Sequence, residues 1–224
     1  MREQHETLQQ LWLRYAQGIG IASQTMPLLT QLTLAWSESH RHYHSLRHLQ
    51  ECLQRLEHWG LHSPVHHEVG VALWFHDAIY DTARHDNEER SARWAGRALK
   101  ALGVDADVVR RIGRLVRATR HDARAYTGEG SDLMLDIDLS ILGVDRARFE
   151  EYERQVRLEY GHVPDEAFAR GRAAFVDSML KRARIYRTEA GHRELEERAR
   201  ANLLRSLQRW TAKISPTATL PTPP

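Results

Sequence analysis

Apolar residues recur along this chain at intervals of three and four, and this spacing constrains the fold more than any other feature. Leu46, Leu49, Leu53 and Leu56 are one such series. The spacing places apolar side chains on one face of an α-helix, whereas strands need a period of two, which is rare here. An all-α fold is therefore predicted. Its helices are expected over residues 3–17, 25–38, 45–58, 64–80, 87–102, 105–119, 138–142, 146–160, 164–186 and 191–212.

Residues that begin and end helices support these boundaries. Gly60 is expected to end one helix and Pro64 to begin the next, because glycine favours the position after a helix and proline its first turn. The segment HDARAYTGEGSD, residues 121–132, is polar and rich in turn-forming residues. It is predicted to be a loop that covers or lines a site.

Composition bounds the class of protein. The chain has 224 residues, 42% of them hydrophobic, which is enough for one large or two small domains. Its 32 basic and 30 acidic residues give a net charge of +2, so charge alone predicts neither a nucleic-acid nor a membrane partner. The single cysteine, Cys52, cannot form an internal disulfide, and no signal segment or run of about 18 apolar residues is visible. We therefore expect a cytoplasmic protein.

Three short segments place metal-ligand residue types beside apolar residues. LWFHDAIYD carries His76 and Asp77 after an apolar run, LRHLQ carries His48, and DLMLDIDLSILG carries Asp138. A buried imidazole or carboxylate needs a partner, since leaving it unsatisfied costs several kcal/mol or changes its protonation. Each segment alone has a plainer explanation, such as a surface or hydrogen-bonded histidine, or an aspartate that caps a helix.

Taken together, the order of these segments resembles the HD-domain metal-dependent phosphohydrolases. Their pattern of a His, a His-Asp pair and a distant Asp on separate helices matches LRHLQ, WFHDAIYD and DIDLSILG. The segments YHSLRHL, DNEERSA, ATRHD, VRLEY and IYRT extend the similarity to a subgroup of predicted phosphohydrolases. The resemblance implies an HD-type helical bundle with additional N- and C-terminal helices. We expect one domain over 1–212, with a metal-binding core at 40–145, a C-terminal helical extension at 146–212 and a disordered tail at 213–224.

The resemblance also implies a metal centre and a reaction. It assigns the ligand positions to His48, His76, Asp77 and Asp138. Two imidazoles and two carboxylates suit a divalent ion such as Mn²⁺, Fe²⁺, Co²⁺, Ni²⁺, Zn²⁺ or Mg²⁺. Such an ion lowers the pKa of bound water and offsets negative charge on a phosphoryl group. The implied activity is hydrolysis of a phosphoester or phosphoanhydride in a small phosphorylated metabolite, with a nucleotide as one candidate.

Several further acids and one histidine are candidates for catalysis. Asp81, predicted to follow Asp77 by one helical turn, is placed to activate water or else is a helix-end or surface acid. Glu88 in DNEERSA is the other candidate base, or else an acid in the first turn after an Asn87 cap. His121 is a candidate phosphate contact, proton donor or ligand of a second metal ion. Asp136 is a candidate to hydrogen-bond a ligand histidine without binding the metal itself, or else to act as a loop or capping acid.

Fixed cations are also expected, because negative charge spreads over the phosphoryl oxygens in the transition state. Arg47, Arg157 and Arg172 are the predicted substrate contacts, although arginines on such helices are commonly solvated. His44 either begins the helix of His48 or approaches the site. The last helix, GHRELEERARANLLRSLQRW, is expected to pack on the domain or to form a homodimer.

Two other functions compete with the hydrolase. One is a binding or regulatory protein that keeps the metal centre without turnover; the spare acids Asp81 and Glu88 favour an enzyme over it. The other is a nucleic-acid adaptor that uses RRIGRLVRATRHDAR as a basic stripe, which predicts tight and strongly salt-dependent binding to polynucleotides.

Overall fold

The structure is a computed structural model, and it describes residues 7–21, 24–63, 65–120 and 127–214. Over these ranges the protein has ten α-helices, one 3-10 helix and no strand, which confirms the all-α prediction. No described helix is both long and apolar enough to cross a membrane. The helices are α1 (Leu8–Gly18), α2 (Met26–Trp36), α3 (Leu46–Trp59), α4 (His66–Phe75), α5 (Asn87–Ala101), α6 (Ala106–Ala118), α7 (Glu129–Asp138), the 3-10 helix (Leu139–Gly143), α8 (Arg146–Glu159), α9 (Asp165–Leu180) and α10 (Glu189–Thr211).

Helices α1 to α7 share one hydrophobic core, with α4 at its centre. Helix α4 contacts α1, α3, α5, α6 and α7, and its residues 69–75 are all buried. Trp12 and Trp74 meet edge to face with ring centroids 5.5 Å apart, while Trp36 donates a hydrogen bond to the Trp74 carbonyl over 2.9 Å. These three tryptophans are core residues, as buried aromatic side chains with large apolar area generally are.

Helices α8 to α10 and the 3-10 helix form a second core. Helix α10 packs against α9 and the 3-10 helix, with Leu195, Leu203 and Trp210 on its buried face. Asn202 donates hydrogen bonds of 2.9 and 3.0 Å to the carbonyls of Leu142 and Val144, which fix α10 to the chain that follows α7. Packing therefore accounts for the apolar face of the last helix, and the homodimer stays a prediction.

Asp136 ties α7 to the start of α10. Its carboxylate accepts hydrogen bonds from the backbone N–H groups of Arg187 and Thr188 and from the Thr188 hydroxyl, at 2.7 to 2.8 Å. Burial raises the pKa of Asp136 despite these bonds. Of the two roles predicted for this residue, the structure shows a cap on the α10 entry and no contact with a ligand histidine.

The position of helix α7 differs from the sequence prediction. It begins at Glu129, inside the segment 121–132 that was predicted to be a loop, and residues 121–126 lie outside the described part of the chain. Residues 133–137 of this helix are all buried. Five consecutive buried residues leave the middle of this helix without the one-sided pattern by which helices are recognised.

Two other helices end earlier than predicted. The helix expected over 64–80 ends at Phe75, and the one expected over 164–186 ends at Leu180. Residues 76–79 form turns and bends that carry the His-Asp pair away from the axis of α4. The predicted tail over 213–224 lies, from residue 215 onward, outside the described residues.

Candidate metal centre

Three helices bring two histidines and an aspartate to one point. His48 lies near the start of α3, His76 directly follows α4, and Asp138 is the last residue of α7. The Nε2 atoms of the two histidines are 3.3 Å apart, and Asp138 Oδ1 lies 3.3 Å from His48 Nε2 and 3.5 Å from His76 Nε2. Among the described residues these three form a group that could hold a metal ion.

Asp77, the fourth predicted ligand, faces the same point. Its Oδ2 atom lies 3.2 Å from His76 Nε2 and 4.0 Å from His48 Nε2. Ligand atoms about 2.1 Å from a common ion lie about 3.0 to 3.4 Å apart, depending on the coordination angle. The separations among His48, His76 and Asp138, at 3.3 to 3.5 Å, match or barely exceed this range, whereas Asp77 Oδ2 matches it only at His76. His48, His76 and Asp138 therefore fit one divalent ion held by nitrogen and carboxylate oxygen, and Asp77 lies at the edge of this group.

A hydrogen bond orients His76 for this role. Its Nδ1 atom lies 2.8 Å from the carbonyl oxygen of Leu73. Because a carbonyl oxygen can only accept, Nδ1 carries the hydrogen, and in the neutral ring the lone pair of Nε2 faces the cluster. Metal-binding histidines are commonly held by such a bond from the other ring nitrogen.

The electrostatics of the cluster favour positive charge. Burial opposes the charged form of His76, but the nearby Asp77 and Asp138 carboxylates outweigh burial and raise the pKa of this imidazole. Burial prevails at His48 and lowers the pKa of that ring. The two carboxylates therefore favour positive charge at this point, and a bound divalent cation would supply it.

Arg41, which sequence reasoning missed, fixes the backbone at the His-Asp pair. Its guanidinium donates hydrogen bonds to the carbonyls of Asp77 at 2.7 Å, His44 at 3.1 Å and Ala78 at 3.2 Å. The side chain is completely buried. Its partners at the pair are backbone carbonyls 36 and 37 positions away, so no residue pattern signals the contact.

Glu159 holds the chain that precedes α3. Its Oε1 atom accepts hydrogen bonds of 2.7 to 2.9 Å from three successive backbone N–H groups, those of residues 42–44. Its Oε2 atom accepts from His44 Nδ1 at 2.7 Å and from the Tyr80 hydroxyl at 2.9 Å. Burial opposes ionisation, but the bond and charge of His44 outweigh it and hold the pKa of Glu159 at about 2. The segment VRLEY contains this residue, yet sequence reasoning singled out its arginine instead.

His44 consequently lies beside the cluster rather than inside α3, which begins at Leu46. Its Nε2 atom is 4.0 Å from Asp77 Oδ2, and its ring stacks on Tyr80 with centroids 4.2 Å apart. Of the two predicted positions for His44, the structure shows the approach to the site.

A cavity of about 620 Å³ opens beside the cluster. Part of its lining is polar or charged and comes from α5, the end of α6 and the turns after α4. The rest is largely apolar or aromatic and comes from the 3-10 helix, α8 and α9. Lining residues include Asp77, Arg84, Asn87, Glu88, Arg120, Asp138, Leu139, Tyr152, Val156, Tyr160, Arg172 and Phe175.

Two of the predicted helper residues line this cavity. Glu88 lies in the first turn of α5, and Arg172 projects from α9. The Arg172 side chain is only 10% exposed and donates hydrogen bonds to the Tyr152 hydroxyl at 2.7 Å and to Glu153 Oε1 at 3.4 Å. The cavity thus combines the carboxylate-histidine cluster with a fixed guanidinium.

Asp81 lies elsewhere, and its predicted position is wrong. Because α4 ends at Phe75, Asp81 does not follow Asp77 by one helical turn. The exposed Asp81 carboxylate accepts a hydrogen bond of 2.9 Å from the backbone N–H of Ala83, and it lines a neighbouring depression instead of the cavity. The geometry therefore supports the alternative of a surface acid, which here accepts a bond within a turn.

Arg47 and Arg157 also lie outside the cavity lining. Arg47 is half exposed and pairs with Glu151 at 2.6 Å. Arg157 donates hydrogen bonds to the carbonyls of Tyr160 and Val163, so it closes the turn between α8 and α9. Neither position supports the predicted substrate contact. His121 lies outside the described residues.

Comparisons of the chain with protein-family models, with curated proteins and with solved structures found no significant match. The likeness to HD-domain phosphohydrolases thus stays a resemblance.

Proposed function

We propose that this protein is a metal-dependent phosphohydrolase of the HD type. The observation that carries the proposal is the convergence of His48, His76, Asp77 and Asp138 beside a cavity that Arg172 also lines. A purely structural ion needs no adjoining cavity, whereas a hydrolase needs space for substrate and fixed cations for its phosphoryl oxygens. We assign the four residues as ligands of one divalent ion.

The side chains around the cavity support separate roles. A bound divalent ion supplies a water molecule of lowered pKa and positive charge for the phosphoryl group. Arg120 and Arg172 add cations at the cavity wall. Apart from Asp77 and Asp138, Glu88 is the one carboxylate that lines the cavity among the described residues. We therefore assign Glu88, in preference to Asp81, to accept the proton of the attacking water.

The cavity supports a small substrate. Its volume of about 620 Å³ lies within the range of about 300 to 1,000 Å³ that is usual for small-molecule sites. The competing nucleic-acid adaptor gains little support, because acids neutralise the proposed basic stripe of α6. Arg111 pairs with Glu68 at 2.7 Å, and Arg117 pairs with Glu89 at 2.6 Å. A phosphorylated metabolite is thus the preferred substrate class, with a nucleotide as one member.

The test compares wild type with His76→Ala, Asp138→Asn and the surface control His62→Ala. Each protein is assayed for bound metal and for phosphate or pyrophosphate release from nucleotides and sugar phosphates with Mn²⁺, Mg²⁺ or Co²⁺. We expect wild type and the control to hold one ion per chain and to release product. The two ligand variants should lose both properties while keeping their helical circular dichroism.

Two results would contradict different parts of the proposal. Full metal content in both His76→Ala and Asp138→Asn would overturn the ligand assignment. Stoichiometric metal in wild type, with no release from any compound, would favour the binding or regulatory protein.

A further inference from the structure

Glu153 is a buried carboxylate on which α8, α9 and α10 converge. The residue is 2% exposed and belongs to α8. It accepts hydrogen bonds from the Ser206 hydroxyl at 2.5 Å, from Trp210 Nε1 at 3.1 Å and from Arg209 Nη1 at 3.1 Å, all on α10. It also accepts the bond from Arg172 Nε on α9. One buried charge therefore joins the last turns of α10 to an arginine of the cavity.

The contacts of Arg172 leave one nitrogen available. Its Nε and Nη2 atoms donate to Glu153 and Tyr152, and its guanidinium lies 4.9 Å from the ring centroids of both Tyr152 and Phe175. Nη1 has no hydrogen-bond partner among the described residues. The guanidinium is thus held along one edge by two hydrogen bonds and lies near two aromatic rings, which fixes the direction of the remaining donor.

A guanidinium held in this way suits an oxyanion. Its planar N–H groups match phosphate oxygens, and a pre-oriented arginine loses little rotamer freedom when it binds. Arg172 lines the same cavity as Asp77 and Asp138, so an anion bound by this guanidinium would lie in the cavity that the metal centre adjoins. An anion bound there would meet two sources of positive charge once the metal is present.

We infer that Arg172 binds a phosphoryl oxygen of the substrate and that Glu153 is its positioning residue. The C-terminal end of α10 then sets the affinity for phosphate through Trp210 and Ser206, although neither residue lines the cavity. The inference rests on the proposed function for the identity of the anion. Glu153 acts through Arg172, so its loss should weaken binding of the anion and leave the metal ligands in place.

A matched pair of tryptophans allows a sharp test. Trp210→Phe removes the bond to Glu153 but keeps an aromatic ring against Phe168, whose centroid is 5.1 Å from that of Trp210. Trp59→Phe is the control, because Trp59 Nε1 donates an equivalent bond of 2.9 Å to Glu194, and neither residue lines the cavity. Both changes remove one indole N–H donor to a glutamate.

The measurement is the affinity of the Mn²⁺-loaded protein for inorganic phosphate, by isothermal titration calorimetry, with metal content determined on the same samples. We expect Arg172→Ala to raise the Kd about tenfold or more, as for loss of a bond to a charged group. Glu153→Gln and Trp210→Phe should raise it about threefold to tenfold at unchanged metal content, and Trp59→Phe should not change it. With a substrate that turns over, KM should rise more than kcat falls.

The possible failures are distinguishable. Phosphate binding that is equal in wild type, Glu153→Gln and Trp210→Phe would overturn the positioning role and leave the proposed function intact. Unchanged affinity in Arg172→Ala would overturn the phosphate contact. Fully metal-loaded wild type that binds no phosphate would overturn the hydrolase proposal and the inference with it. If Glu153→Gln fails to fold, Trp210→Phe and Ser206→Ala carry the test, because each removes one hydrogen bond.

Discussion

Replacing Glu159 with glutamine should destabilise the protein in a pH-dependent way. The Glu159 side chain is completely buried, and its pKa lies at about 2 instead of the ordinary 4.5. Each tenfold change in proton affinity corresponds to about 1.4 kcal/mol, so ionised Glu159 contributes about 3 kcal/mol to the free energy of unfolding at pH 7. Because the folded pKa is depressed, this contribution is complete above about pH 4.5 and is lost as the pH falls towards 2.

The assay is urea unfolding followed by circular dichroism between pH 3 and pH 8. Glu159→Gln should be less stable than wild type by about 3 kcal/mol at pH 7, and the pH-dependent part of the difference should fall to roughly half near pH 3. Glu197→Gln, at an exposed position of α10, should change stability by less than about 0.5 kcal/mol throughout. A Glu159→Gln difference that is constant with pH, or below about 1 kcal/mol at pH 7, would refute this reasoning.

Three further changes test the packing and the metal centre. In thermal unfolding, Gly143→Ala should lower the free energy of unfolding by about 1 to 3 kcal/mol, because the new Cβ would lie 2.5 Å from Leu195 Cβ. Gly96→Ala should raise it by about 0.5 to 1 kcal/mol, because nothing lies within 4 Å of the new Cβ and alanine favours the helix α5. Stability changes of the same sign in both variants would contradict the predicted clash at residue 143. Asp136→Ala should lower the free energy of unfolding by about 2 kcal/mol, because two backbone N–H groups and the Thr188 hydroxyl lose their buried acceptor, and a loss below about 0.5 kcal/mol would argue against that cap. Chelation by EDTA should lower the Tm of metal-loaded wild type and leave the Tm of His76→Ala unchanged; equal shifts would place the metal elsewhere.

Amphipathic helices were predictable because each has one apolar face. Helices α3, α5 and α6 begin and end within a residue or two of their predicted bounds. Helix α7 was missed because residues 133–137 are buried in succession, which removes that contrast from the middle of the helix. The end of α4 was missed for a related reason: the apolar run continues up to the turn, so nothing local marks Phe75 as the last helical residue.

The candidate ligands were predictable because their residue types stand out beside apolar neighbours. Contacts with partners that are distant in the sequence were not predictable. Arg47 meets Glu151 across 104 positions, and Arg41 and Glu159 bind backbone groups, which every residue possesses and which therefore leave no trace in the sequence. Their roles follow only from the folded geometry.

The two hydrophobic cores contribute different residues to this site. All four candidate ligands belong to elements of the first core or to its edge, whereas Arg172, Glu153 and Glu159 come from α8 and α9 of the second. Under the proposed function, the metal ligands therefore come from one core and an additional wall of the substrate cavity from the other. A library that randomises the cavity-facing positions of α8 and α9 would then alter the cavity while leaving the candidate ligands unchanged.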